Sequence, residues 1–319
     1  QLTFASDDGG AITTDKFGSS GAASYGLTLL PGTYDIQWTG NPALCQMDPL
    51  PNVPCNSGTV RKADLTTSGN LDIDIRAVKV RGSATLNGAS IPSSVSSAGS
   101  FTFGGQAGAG AAAPIELDGG ATYGITLLPG DYDISWSGDS NCDPDNLPEL
   151  PCNGGTLREE QTLEQSGTLD LDIPAVTVQG AIRSNGGPIP DGSGSPGSLA
   201  FKSKTGSAAT VADIQRGEVP TYAVRLLAGE YDVTWQANSD LCDSSGDLPK
   251  LPCIGGPLKR GVVLKQDGTL DVDIPSIQIQ GRITQNGDTL PDASSDRGSL
   301  SVSRVDAGQW ASDAFGSTG

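Results

Sequence analysis

The sequence predicts an all-β protein, a tandem array of antiparallel β-sandwiches of about 100 residues each. Three observations carry that expectation. One segment recurs three times: Tyr25-Gly-Leu-Thr-Leu-Leu-Pro-Gly-Thr-Tyr-Asp-Ile-Gln-Trp38, Tyr123-Gly-Ile-Thr-Leu-Leu-Pro-Gly-Asp-Tyr-Asp-Ile-Ser-Trp136 and Tyr222-Ala-Val-Arg-Leu-Leu-Ala-Gly-Glu-Tyr-Asp-Val-Thr-Trp235. The tryptophans step by 98 and 99 residues, and Gly82, Gly180 and Gly281 step by 98 and 101, so the period spans the whole unit. A unit of that length is domain-sized rather than a rung of a solenoid. Within each copy the apolar period is two, and short apolar runs alternate with Gly, Ser, Asn and Asp clusters without a helical period.

The elements follow in order along a unit. An opening strand (Val78-Lys-Val80, Val176-Thr-Val178, Ile277-Gln-Ile279) precedes a second strand at Leu2-Thr-Phe4, Phe101-Thr-Phe103, Leu199-Ala-Phe201 or Leu300-Ser-Val302. In the recurring segment Tyr25, Leu27 and Leu29 alternate, Pro31-Gly32 turns the chain, and Tyr34, Ile36 and Trp38 alternate again; this reads as a hairpin. A cysteine loop comes next, then a strand at Thr156-Leu157 and a closing strand such as Leu169-Asp-Leu-Asp-Ile173. The junctions are about two residues long, Arg76-Ala77, Pro174-Ala175 and Pro275-Ser276, which leaves little freedom between neighbours and predicts a rod. The expected domains are residues 1–76, a repeat lacking its opening strand; 77–174 and 175–275, two complete repeats; and 276–319, the opening strands of a further repeat. These out-of-phase ends fit a window from a longer array, the favoured reading, or strand addition from the tail of one chain to the head of the next. Both lead to a fibre.

Six cysteines fall as three pairs at one phase of the repeat: Cys45/Cys55, Cys142/Cys152 and Cys242/Cys253. An even count at fixed spacing points to local disulfides. The loops end in Leu-Pro-x-Leu-Pro-Cys at Cys152 and Cys253, with Leu50-Pro-Asn-Val-Pro-Cys55 as the variant. Closing a loop of about ten residues contributes roughly 2–3 kcal/mol on the chain-entropy account. Zinc competes with this reading, but two cysteines per repeat and no histidine leave a tetrahedral site short of ligands. Disulfides place the chain outside the cytosol, extracellular or at the cell surface.

The third unit, from Val176-Thr-Val-Gln-Gly180 through Gly186-Gly-Pro-Ile-Pro190 to Leu227-Ala-Gly-Glu-Tyr231-Asp-Val-Thr-Trp235, resembles the carboxypeptidase regulatory-like and transthyretin-like (Ig-like) repeats of bacterial surface proteins. The resemblance covers every unit, complete or partial. It implies an extracellular sandwich of about seven strands and brings no catalytic residues. The cysteine loop is an addition to that pattern, and Ala228 replaces the turn proline in the third copy.

Charge bounds the partners. Asp and Glu number 37 against 19 Lys and Arg, a formal net charge of −18, with no histidine. Neutralising phosphates takes a basic patch, so nucleic acid is not an expected partner. No apolar run reaches the roughly 18 residues of a membrane span. Without histidine there is no Ser-His-Asp or Cys-His arrangement, and no enzyme is expected. The closing strands set two aspartates on one face: Asp72 and Asp74, Asp170 and Asp172, Asp271 and Asp273. With loop carboxylates these could hold calcium, as could Asp143, Asp145 and Asp243 in the cysteine loops; a solvated strand face that discourages edge pairing is the favoured reading. Tyr34, Trp38 and their equivalents read as core in preference to a glycan platform. Trp310 has no counterpart at its phase and is the candidate interface residue. The functional expectation is a structural subunit of an extracellular fibre, its partners being further copies of itself or adjacent repeats; the alternative is an adhesin stalk with calcium or glycan sites.

Overall fold

The computed structural model describes the chain apart from residues 19–22, 49, 106–107, 139–146, 193–194, 212–213, 215, 239–249, 253, 280, 293–296, 304–309 and 316–319. It divides into two units, residues 1–139 with 154–174, and residues 140–153 with 175–319.

The first unit opens with β1 (Leu2–Ser6), β2 (Ala11–Thr13), β3 (Gly32–Trp38) and β4 (Gly58–Leu65), joined in the order β2-β1-β3-β4. Alternation sends Leu2, Phe4, Tyr34, Ile36 and Trp38 into one buried cluster. Between β3 and β4 lies α1 (Pro42–Met47), a short helix that no periodicity announced. Its signal is local: Asn41 accepts from the Ala43 amide at 3.2 Å, and Pro42 stands at the first helical position.

The second repeat follows in the same unit with β5 (Val78–Leu86), β6 (Ala89–Ser90), β7 (Ser100–Gly105), β8 (Ala111–Pro114), β9 (Thr122–Leu127), β10 (Gly130–Ser137), β11 (Gly155–Leu163), β12 (Gly167–Thr168) and β13 (Leu171–Ile173). One sheet runs β11-β10-β7-β8; in the other, β5 is the central strand, carrying β6 and β9 antiparallel and β12 and β13 parallel. Phe101, Phe103, Ile125, Leu127, Ile134 and Trp136 fill the space between them. Each such side chain stabilises the fold by about 1.5–3 kcal/mol relative to exposure.

The second unit repeats this plan with β14 (Ala175–Ser184), β15 (Gly197–Ser203), β16 (Ala208–Val211), β17 (Thr221–Leu227), β18 (Gly229–Ala237), β19 (Gly256–Leu264), β20 (Gly268–Thr269) and β21 (Val272–Ile274). Here β14 is central between β17 and the pair β20 and β21, and β16-β15-β18-β19 form the facing sheet. Two small ladders follow: β22 (Thr284–Gln285) with β23 (Asp288–Thr289), and β24 (Gly298–Ser303) with β25 (Trp310–Phe315).

The fold class is the expected all-β sandwich, but its internal wiring differs in two ways. The Pro-Gly connection is not a hairpin. β9 pairs with β5 while β10 pairs with β7 and β11, so the turn crosses from one sheet to the other, and β17 and β18 do the same. Period two specifies which face of a strand is buried and is silent about its hydrogen-bonding neighbour. Second, residues 25–30 and 71–75 form no strand, whereas their counterparts β9 and β13 do. Both counterparts are held by β5, and residues 1–76 contain no equivalent of that strand.

Candidate inter-repeat coupling site

Within each unit the end of a cysteine loop docks on the rim of a sandwich. In the first unit Cys45 and Cys55 form a disulfide with sulfurs 2.08 Å apart, closing a loop of sequence separation 10. The Trp38 indole nitrogen donates to the Pro54 carbonyl at 3.1 Å, which fixes the loop against its own repeat. The next residue, Asn56, is buried in the rim of the second repeat. Its Oδ1 accepts from the Leu128 amide at 2.8 Å, and its Nδ2 donates to the Tyr132 hydroxyl at 2.9 Å. Tyr132 in turn donates to the Leu128 carbonyl at 2.6 Å, closing a three-membered network.

Backbone contacts flank this network. The Cys55 amide donates to the Thr126 carbonyl at 2.9 Å, Thr126 Oγ1 donates to the Pro51 carbonyl at 2.7 Å, and the Ser57 amide donates to the Ala109 carbonyl at 3.0 Å. Gly108 is needed for this approach, since a Cβ there would stand 2.2 Å from the Ser57 carbonyl oxygen. A side-chain amide with both ends satisfied in a buried site contributes through direction as well as energy, because any tilt leaves a polar group unpaired.

The second unit holds the same arrangement. The Cys152 amide donates to the Arg225 carbonyl at 2.8 Å; Asn153 accepts from the Leu227 amide at 2.9 Å and donates to the Tyr231 hydroxyl at 2.9 Å; Tyr231 donates to the Leu227 carbonyl. Cys152 is disulfide-bonded as well. Burial pushes the phenols of Tyr132 and Tyr231 up to about 12, while the amide hydrogen bonds from Asn56 and Asn153 pull the other way. Both tyrosines are therefore neutral donors at any physiological pH. In the third copy Ile254 stands where Asn56 and Asn153 stand in the others.

The asparagines were missed by sequence reasoning. Their signal was present: Pro-Cys-Asn recurs at Cys55 and Cys152, and a polar residue directly after a buried cysteine needs a partner.

The other predicted residues fall as follows. Cys142, Cys242 and Cys253 lie outside the described residues, as do Asp143, Asp145 and Asp243. Asp170 accepts from the Ser83 amide at 2.8 Å and hydroxyl at 2.7 Å, which holds its carboxyl below the usual range. Asp172 accepts from Thr85 Oγ1 and the Gly88 amide, both at 2.7 Å; Asp271 accepts from the Ala181 amide at 2.9 Å and Asp273 from the Gly186 amide at 2.8 Å. These carboxylates tie the closing strand to the opening one. Asp72 and Asp74 are exposed on the unpaired segment 71–75. No three acidic, cysteine or histidine side chains come together as a metal site among the described residues. Tyr34 and Trp38 are buried. Trp310 begins β25, paired with Ser303, and its side chain lies outside the described residues.

No family model matches the chain, and no curated protein matches it. Among solved structures it is similar to a DUF3823 family protein from Parabacteroides merdae at 15% identity, covering 52% of this chain and 93% of that one with a TM-score of 0.23. It is also similar to the C-terminal fragment of the pilus adhesin SpaC from Lactobacillus rhamnosus GG (11% identity, 65% and 100% covered, TM-score 0.23). A third is the major pilin from Streptococcus pyogenes (11% identity, 64% and 99% covered, TM-score 0.19). At these TM-scores the likenesses carry no argument about this chain.

Proposed function

We propose that the protein is a structural subunit of an extracellular, cell-surface fibre, in which β-sandwich repeats are locked to one another by disulfide-anchored asparagine plugs. One observation carries the reading: the same network of asparagine, tyrosine and turn leucine is built twice, with the two bonds of each asparagine agreeing within 0.1 Å between copies. A covalently closed loop whose tip is buried in the next repeat transmits force and orientation along the chain, which is what a fibre requires and a freely jointed stalk does not. The Cys45–Cys55 disulfide suits an oxidising exterior. Further copies of this chain, or adjacent repeats of a longer one, are its partners.

The test is negative-stain electron microscopy of the purified chain, paired with calcium and glycan-array titrations. Fibres with unchanged melting in calcium support the reading. Isolated particles that bind a glycan, or gain stability from calcium, would overturn it in favour of an adhesin.

A further inference from the structure

The closing strand of each complete repeat is held in its sheet by a single neighbour. In the second repeat β12 and β13 pair with β5 alone among the described residues, and in the third β20 and β21 pair with β14 alone. Both pairings are parallel. Gly167 lies beside Val80 near one end of the ladder and Ile173 beside Leu86 at the other; in the third repeat Gly268 lies beside Val178 and Ile274 beside Ser184. The chain therefore enters each repeat at one end of this ladder and leaves it at the opposite end.

Side chains of the closing strand reinforce the ladder. The Lys79 amide donates to Ser166 Oγ at 2.9 Å, the Ser83 amide to Asp170 Oδ1 at 2.8 Å and the Gly88 amide to Asp172 Oδ1 at 2.7 Å. The third repeat uses the equivalent positions: the Thr177 amide donates to Asp267 Oδ1 at 2.7 Å, that of Ala181 to Asp271 at 2.9 Å and that of Gly186 to Asp273 at 2.8 Å. Backbone bonds stand between them, from the Leu169 amide to the Arg81 carbonyl and from the Leu270 amide to the Gln179 carbonyl, each at 2.8 Å. Each ladder is also bolted crosswise. Tyr123 and Tyr222 reach past Gly82 and Gly180 and donate to the Leu169 and Leu270 carbonyls at 2.6 Å.

Asp170, Asp172, Asp271 and Asp273 are all exposed, so at rest water competes for their bonds and they add little to equilibrium stability. Under tension the direction of load decides what they are worth. Pulling Val78 and Ile173 apart drags β5 and β13 past one another along their length, so the bonds of Ser166, Asp170 and Asp172 and the backbone bonds between them are strained together. Drawn apart from one end, the same bonds would part in turn. We infer that the Asp-x-Asp closing strand is a shear clamp, built in both complete repeats to carry tension along the chain. This rests on the fibre reading, since a fibre is what puts the chain under tension, and it gives a use to aspartates that form no metal-binding cluster among the described residues.

The experiment pulls single molecules of the whole 319-residue chain, disulfides intact, in an optical trap. Handles on the two chain ends load both clamps in shear. Handles on Ala77 and Gln165, both exposed and at the same end of the β5 ladder, peel the clamp of the second repeat instead. The second repeat is expected to open at a severalfold lower force when peeled than when sheared. Asp170→Ala combined with Asp172→Ala is expected to lower its end-to-end opening force by about half, as the loss of charge-assisted bonds implies. The third repeat then serves as the internal standard, and Asp271→Ala with Asp273→Ala is expected to move its force instead. The comparison of pulling directions leaves the clamp residues untouched, so it decides the matter even where an aspartate variant fails to fold. Equal forces in the two directions, or end-to-end forces unmoved by the aspartate substitutions, would overturn the clamp and leave fibres seen by microscopy standing. A direction-dependent force in a chain that forms no fibres would sustain the clamp and remove the fibre reading.

Discussion

At the residue scale the fold depends on a few positions where nothing larger or less polar fits. Gly82 and Gly180 let the opening strand pass under the tyrosine that hydrogen-bonds the closing strand, so Gly82→Ala is expected to cost about 1–3 kcal/mol in chemical denaturation. Gly281→Ala should leave the midpoint unmoved, because that glycine faces open space in the free chain. Asn153→Ala removes both halves of a buried amide pair and strands the Leu227 amide; a loss of about 1–3 kcal/mol is expected from urea titration of the second unit. The tyrosines give a pH dependence of definite sign. Burial raises Tyr132 and Tyr231 from 10.0 to about 12, so the folded state keeps its protons where the unfolded state loses them. Their contribution is full below pH 10 and falls as pH rises from there through about 12. Tyrosinate absorbance should therefore appear together with loss of the near-ultraviolet circular dichroism, not before it. The sequence displayed the glycines and tyrosines through their fixed phase, but not what they touch, since contact is a property of two segments and periodicity describes one.

At the element scale the strands were legible and their partners were not. The alternation of Tyr132, Ile134 and Trp136 defines the buried face of β10 correctly. Nothing in it distinguishes a hairpin to β9 from a crossing to the facing sheet, and the crossing places both apolar faces against one another across the core. Helix α1 escaped because six residues are too few for a period, and its Asn-Pro start was the only trace. The Asp-x-Asp pattern of the closing strand was visible, but its use as an acceptor for the opening strand's amides depends on a parallel pairing that sequence does not announce. The cysteine loop is the element with mechanical consequence. Reducing Cys45–Cys55 frees a loop of sequence separation 10 and should lower the stability of the first unit by about 2–3 kcal/mol. Hydrogen exchange at the Leu128 amide, which Asn56 holds, should quicken on reduction even under conditions where the β3–β4 ladder remains protected.

At the scale of the whole molecule the period of about 100 residues, legible from the first three tryptophans, is what makes a fibre reading possible. The repeat alone does not say whether neighbours swing or hold. Within each unit the asparagine plug ties a cysteine loop to the rim of a sandwich, and that is the feature which favours holding. An acidic surface of net charge −18 keeps such copies apart except where strand pairing and burial outweigh the repulsion, so assembly should strengthen as salt is raised. The measurement that bears most directly on the account is electron microscopy of the purified chain at moderate salt. Continuous fibres with an axial repeat of about 35 Å, or a multiple of it, are the predicted result. A field of separate particles at every salt and protein concentration would contradict it.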